Sequence, residues 1–343
     1  MLDSDIHSQA GNHMAPMAMS RRRHWATAFK AAVTLTLLVY LFRSGSLDPS
    51  AMGLLATNPV LAAATVINWV LVSAVLGAWR YRTLLFTVNI HLDWMRALHL
   101  QLSSLFLNTV VPGSIGGDVW KSLAVAKHHS ERKRTLLFLL LVERGIGLSA
   151  LLAASSLIWL LTGRWGSDAV QPDEHLTLLF IVLSAGLVGL PVAMGLLIEW
   201  KAGWIRLGTI SGKFSWLGKL LEGAEVLRGH RRHLIGAYVI SMAMHSISIG
   251  YFFLLTRAFP EASLDVQAVA TVFPIGILSV MLPVSLAGLG VGHLAFETLF
   301  ASMGAKGGAN VFNLYILGQV GPNLLGAIPF VVVRNHAQIE KQP

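Results

Sequence analysis

Six apolar runs, near residues 25–42, 59–77, 135–162, 176–198, 234–256 and 309–333, constrain this chain more than any other feature. A helix needs about 20 apolar residues to cross the hydrocarbon core of a bilayer. Six such runs in 343 residues leave little chain from which a soluble core could be built. Charged residues make up only 13% of the chain, where a soluble domain carries about 25%. The runs do not alternate with period two, as the strands of an outer-membrane barrel do. The expected fold class is therefore all-α, a polytopic helical membrane protein. The chain has no cysteine, which removes disulfides, thiolate metal sites and thiol redox chemistry.

Lysine and arginine orient the runs. With the N-terminus in the cytoplasm, segments 1–30, 78–96, 119–134, 199–233 and 334–343 lie inside and hold 21 of the 26 basic residues. Four lie outside, Arg43, Arg164, Arg257 and Lys306, and Arg144 falls within a run. Such a bias places both termini on the cytoplasmic side of the bacterial inner membrane. It also assigns the net charge of +9 to a surface facing lipid headgroups, so nucleic acid is not an expected partner. The run after Arg21-Arg22-Arg23 is long for a signal peptide and lacks a small-x-small cleavage site, so it reads as an uncleaved first helix. Residues 1–24 are then a disordered cytoplasmic tail, 25–333 a single transmembrane domain, and 334–343 a second cytoplasmic tail.

This orientation forces a turn inside the membrane. Segments 78–96 and 119–134 are both cytoplasmic, so the stretch between them, which contains LNTVVPGSIGGDVWK (Leu107–Lys121), enters and leaves on one side. The region around Pro283 lies between two outside ends and dips in from the opposite face. The two stretches match: Pro112 with Pro283, Ser114 with Ser285, and Gly117 with Gly288, at an offset of 171. The same offset carries the third run almost onto the sixth. The expected architecture is six full spans plus two re-entrant helical hairpins, with halves 25–162 and 176–333 related as an inverted-topology repeat. Transporters use such repeats, with the working site near the midplane.

Irregular backbone at membrane depth is tolerated only where it is buried in protein or lines a wet cavity. In the first hairpin, Gly113, Gly116 and Gly117 permit positive φ and close backbone approach, and Pro112 ends the incoming helix. Asn108 can serve freed backbone groups, and a helix restarting near Asp118 presents free N–H groups. Glu143-Arg144 follows eight apolar residues of the third run, and charge at that depth requires partners or water. Adjacent helical side chains point about 100° apart, so the two serve different partners. Arg144 can meet Asp118 or a phosphate, and Glu143 can meet Arg80, Arg82 or Lys121. Arg80 and Arg82 carry guanidinium forks suited to phosphate. In the second half, Pro283, Ser285, Gly288 and Gly290 form the matching motif, and His293 and Glu297, four apart, can share a helix face for proton handling. Several of these features also have a plainer reading: a packing corner, a structural ion pair, interfacial anchoring; and His245, in the fifth run, reads as a hydrogen-bonded core histidine. No catalytic constellation, metal site or cofactor motif is present, so no cofactor and no enzyme activity are expected.

The motifs WRYRTLL, NTVVPGSIGGDVWK, VERGIGL and LPVSLAGLGVG, in that order, resemble the lysylphosphatidylglycerol synthase transmembrane-region (flippase-like) family over roughly residues 25–333. In the full synthases this membrane module precedes a soluble aminoacyl-transferase domain and moves the modified phospholipid between leaflets. The resemblance implies a stand-alone membrane module without that domain. The chain departs from the family pattern at Trp120-Lys121, where members often carry arginine, and at GLGVGHLAFE, where many place a glutamate earlier. The function expected is a lipid flippase moving an anionic phospholipid, glycolipid or lipid-linked substrate between leaflets. Its partners are membrane lipids and an anionic headgroup. The alternative is a scaffold for a glycosyltransferase or lipid-modifying enzyme, recruited through an amphipathic 199–233 segment.

Overall fold

The computed structural model describes residues 53–111, 115–162, 174–199 (side chains to 189), 229–281 and 289–331, together with 36, 39, 43 and 227. Most of the first run, the two tails, residues 163–173, most of segment 199–233, and residues 112–114 and 282–288 lie outside them. Among the described residues every regular element is helical. The longer ones are α1 (Pro59–Val88), α2 (Trp94–Val110), α3 (Gly116–Ala126), α4 (Lys133–Thr162), α5 (Glu174–Glu199), α6 (Arg231–Thr256), α7 (Val266–Val280), α8 (Val291–Ser302) and α9 (Gly308–Val331). Four of these, α1, α4, α6 and α9, are long and apolar enough to cross a membrane.

Local chemistry sets the boundaries. Asn58 caps α1 by accepting from the N–H groups of Val60 and Leu61, with Pro59 at the first helical position, where its missing N–H costs nothing. Asp93 caps α2 and Asp265 caps α7 in the same way. Asn89, in the left-handed region, ends α1. Sequence reasoning ended this span at residue 77, before Arg80; the helix runs on through Arg80 and Arg82 to Val88. In α9, Pro322 has no N–H for the ladder, and the backbone tightens into a 3-10 turn at Leu324–Gly326 before the helix resumes.

Two pairs of shorter helices form antiparallel hairpins. In the first, Gln101, Ser104 and Asn108 of α2 bond Lys121, Asp118 and Gly117 of α3, so position rises along one helix as it falls along the other. In the second, the backbone of Gly276 lies against Phe296 and Val280 against Gly292. With 17 and 11 residues in the first pair and 15 and 12 in the second, these helices are about 17–26 Å long. Each is shorter than the roughly 30 Å hydrocarbon core.

Apolar side chains of the described residues gather into two main cores and a small third cluster around Val72, Ile240 and Met244. One surrounds the aromatic cluster of Phe252, Phe273, Phe296, Phe300, Phe312 and Tyr315, where α6 to α9 meet. The other joins Tyr81, Leu84, Leu100, Val125, Leu136 and Leu139 from α1 to α4. Between them, buried polar groups occupy the middle stretches of the long helices: Asn68 on α1, Glu143 and Ser149 on α4, Ser241 and Ser248 on α6. The candidate site lies where this polar layer meets the first hairpin.

Candidate functional site

The polar residues of α2 that face α3 fall at Gln101, Ser104 and Asn108, a spacing of three and four that puts them on one helix face. Asn108 Oδ1 accepts from the Gly117 N–H at 2.8 Å, one of the orphan donors at the start of α3. Ser104 Oγ donates to Asp118 Oδ1 at 2.8 Å. Gln101 Oε1 accepts from Lys121 Nζ at 3.2 Å, while its amide donates to the Ser73 carbonyl at 3.0 Å. That carbonyl belongs to a stretch of α1, Trp69–Leu76, in which the helix widens to π geometry. Such bulges release backbone groups for other partners.

On this frame α4 delivers Glu143 and Arg144 to different partners, as their 100° separation requires. Glu143 accepts from Arg80 Nη2 at 3.0 Å and from Lys121 Nζ at 3.4 and 3.5 Å. Arg144 pairs with Asp118. Lys121 also lies 3.9 Å from Asp118 and 4.0 Å from the centroid of the Tyr81 ring, a cation–π distance. Three cations and two carboxylates are thus joined, and the assembly carries one surplus positive charge. Exposure is graded across it. The side chain of Lys121 is 1% exposed and that of Glu143 6%, whereas Arg80 and Asp118 are at 16% and Arg144 at 32%. Arg144 is therefore the most exposed member of the assembly.

The structure brings Arg80, Asn108, Gly117, Asp118, Lys121, Glu143 and Arg144 together. Arg82 stands apart: two residues from Arg80, it points elsewhere, donating to the Leu92 carbonyl and lying over the Phe86 ring. Gly116 and Gly117 are helical, so neither has the positive φ that sequence reasoning allowed them. Gly117 is needed for close approach instead. A Cβ there would overlap the Ser104 carbonyl and sit 2.9 Å from Asn108 Oδ1. Pro112, Gly113, Ser114, Pro283, Ser285 and Gly288 lie outside the described residues.

In the second hairpin, Gly290 does adopt positive φ, at 82°, and its N–H donates to His293 Nδ1 at 3.3 Å. His293 is buried against the Phe312 ring, and its Nε2 lies 3.5 Å from Asn313 Oδ1. Glu297 turns to a different task, accepting from the Ala309 N–H at the start of α9 at 2.9 Å. The two residues read as a shared proton-handling pair thus make separate contacts. Sequence reasoning missed Gln101, Ser104 and Tyr81. For the first two a signal existed, the three-and-four spacing that runs through Asn108; for Tyr81 there was none.

The family model described as Lysylphosphatidylglycerol synthase TM region matches residues 27–312, which takes in the first hairpin, the Glu143-Arg144 pair and the second hairpin. No curated protein and no solved structure matches the chain.

Proposed function

We propose a function from one premise, that the chain belongs to the lysylphosphatidylglycerol synthase transmembrane-region family. Membership makes it a membrane protein of lipid synthesis or translocation. In our reading it is a translocator and not an enzyme: it moves an anionic phospholipid, glycolipid or lipid-linked substrate between leaflets of the cytoplasmic membrane. The observation that carries this is the surplus cation of the buried assembly, with Arg144 a third exposed at its edge. A phosphate presents acceptor oxygens in the geometry a guanidinium fork prefers. It would replace Asp118 on Arg144 as it enters, leaving Lys121 and Arg80 to balance Glu143. The acyl chains would remain in lipid while the headgroup follows the polar layer between the two apolar cores.

The recurring element order supports an inverted repeat. One long helix, a hairpin and a second long helix run from α1 to α4 and again from α6 to α9. The two hairpins would then enter from opposite faces, with both termini in the cytoplasm.

The test is leaflet exchange of a fluorescent phosphatidylglycerol in vesicles containing the purified protein alone. Arg144→Gln should slow exchange by about tenfold or more, because a hydrogen bond to a charged group contributes about 1.5–3 kcal/mol. Lys127→Gln, an exposed cation beyond the end of α3, should exchange like the parent. Exchange only after a lipid-modifying enzyme is added would favour the scaffold reading. Unchanged exchange in Arg144→Gln removes the assembly from the transport path.

A further inference from the structure

Three polar side chains of α1, Thr65, Trp69 and Ser73, are spaced by four and share a face. On α9, Gln319 and Asn323 repeat that spacing. The two faces meet. Trp69 Nε1 donates to Asn323 Oδ1 at 2.8 Å, and Ser73 Oγ donates to Gln319 Oε1 at 3.0 Å. Thr65 lies against the backbone of Gly318, where a Cβ would come within 2.6 Å of its methyl group. The Asn323 amide donates in turn to Thr109 Oγ1 of α2 at 3.1 Å. Every member of this seam is neutral. It joins the charged assembly through Gln101, which accepts from Lys121 and donates to the Ser73 carbonyl.

Hydrogen bonds between neutral side chains commonly hold transmembrane helices together, and Asn323 fits that role, with both ends of its amide occupied. Gln319 does not. Its oxygen is taken by Ser73, and its amide nitrogen has no partner among the described residues. It is the twelfth of the 24 residues of α9, so the unmet group lies near the middle of a spanning helix. Gln319, Ser73, Thr109 and Asn323 are all half-buried, so protein does not close the seam off. An amide N–H left unmet in hydrocarbon is costly, and a polar group at this depth points to a pathway.

The free group limits what it can meet. An N–H donates, so its partner must accept: a hydroxyl oxygen does, and an ammonium does not. A phosphate also accepts, but the seam offers it no cation, whereas the assembly offers Arg80, Lys121 and Arg144. A phosphate therefore stays with the assembly. Ser73, which holds Gln319, is seven residues from Arg80 on α1, two turns or about 10 Å. Only a neutral, hydroxyl-bearing extension of the headgroup reaches along that distance and meets the free N–H. We propose that Gln319 is a specificity-determining residue that donates to such a hydroxyl, and that the substrate class is a lipid whose phosphate carries a polyol, either a glycerol or a sugar. Asn323 acts as a positioning residue, fixing α9 against Trp69 and Thr109.

Hydroxyl selection bears on transport only if the translocator reading holds, so exchange and binding are measured separately. Three fluorescent lipids with the same acyl chains are compared in phosphatidylcholine vesicles containing the purified protein. Phosphatidylglycerol and phosphatidylinositol carry hydroxyls on an open chain and on a ring. Phosphatidylethanol carries the same singly charged phosphodiester and no hydroxyl. The parent should exchange one of the polyol lipids about two- to tenfold faster than phosphatidylethanol, as one or two neutral hydrogen bonds would supply. In Gln319→Leu that lipid and phosphatidylethanol should exchange at equal rates. Ser73→Ala removes the bond between the helices but leaves the Gln319 amide, and should keep the preference. Equal rates for all three lipids in the parent overturn the proposal. So does a preference kept in Gln319→Leu, or one lost equally in Ser73→Ala. If the parent exchanges none of the three, the translocator reading fails and binding decides. Mass spectrometry of the intact protein in detergent, with the three lipids in equal amounts, should then show a polyol lipid retained over phosphatidylethanol by the parent and not by Gln319→Leu. Equal retention in the parent overturns the proposal.

Discussion

Lys121 shows how a membrane chain keeps an ammonium at 1% exposure. Its ammonium donates to Glu143 and Gln101 and lies over the Tyr81 ring. The two carboxylates of the assembly differ in what their removal leaves behind. Glu143→Gln would strand Lys121 and Arg80 in a buried setting, and breaking a buried pair from one side costs about 3–5 kcal/mol. Asp118→Asn takes one charged acceptor from Arg144, whose side chain is a third exposed and can be hydrated, so it should cost clearly less than Glu143→Gln. Thermal unfolding in detergent should therefore lower the midpoint clearly for Glu143→Gln and only slightly for Asp118→Asn. Leaflet exchange should fall in both. An Asp118→Asn protein that exchanges lipid like the parent would reduce GGD to a helix start.

Among elements, the first hairpin depends on how closely α2 and α3 approach. Gly117→Val would drive a branched side chain into the Ser104 carbonyl and Asn108. It should splay the helices and lower the unfolding midpoint by several degrees. Gly145→Ala on α4, where a Cβ meets nothing within 4 Å, should be neutral or slightly stabilising, since alanine favours helix over glycine by about 1 kcal/mol. Equal midpoints for the two variants would mean that the close approach does not hold the hairpin. The importance of Gly117 was legible in the sequence, but its cause was not. A glycine beside a proline suggests a turn, and a glycine needed for helix contact looks identical until the facing backbone is known. The helix that carries the second apolar run continues beyond it to Val88. Charge normally marks the membrane surface, but Arg80 carries its counter-charge 63 residues away, on Glu143. By contrast, the split of Glu143 and Arg144 between partners followed from helix geometry alone.

For the whole molecule, apolar run length and basic-residue bias were enough to read a helical membrane protein, because both report on the bilayer and not on tertiary contacts. The separation into two apolar cores was not legible, since it depends on which helices meet. The same lengths make the topology testable. Helices of 17 and 11 residues reach about 26 and 17 Å, so neither α2 nor α3 alone spans the core. His91 precedes α2 and His128 follows α3, and both are exposed. If the hairpin is re-entrant, they lie on one side of the membrane. Lys306, exposed between α8 and α9, should lie on the other if α5, 26 residues long, crosses as α4 and α6 do, because three crossings then separate it from His128. The chain has no cysteine, so each position can be replaced singly by cysteine and probed in sealed inner-membrane vesicles with an impermeant maleimide. His91→Cys and His128→Cys should label in inside-out vesicles, and Lys306→Cys in right-side-out ones. Labelling of His91→Cys and His128→Cys from opposite sides would mean that α2 and α3 together cross the bilayer. The Arg144–Asp118 pair would then sit within a spanning segment and not on a re-entrant hairpin, and the inverted repeat would fall with it.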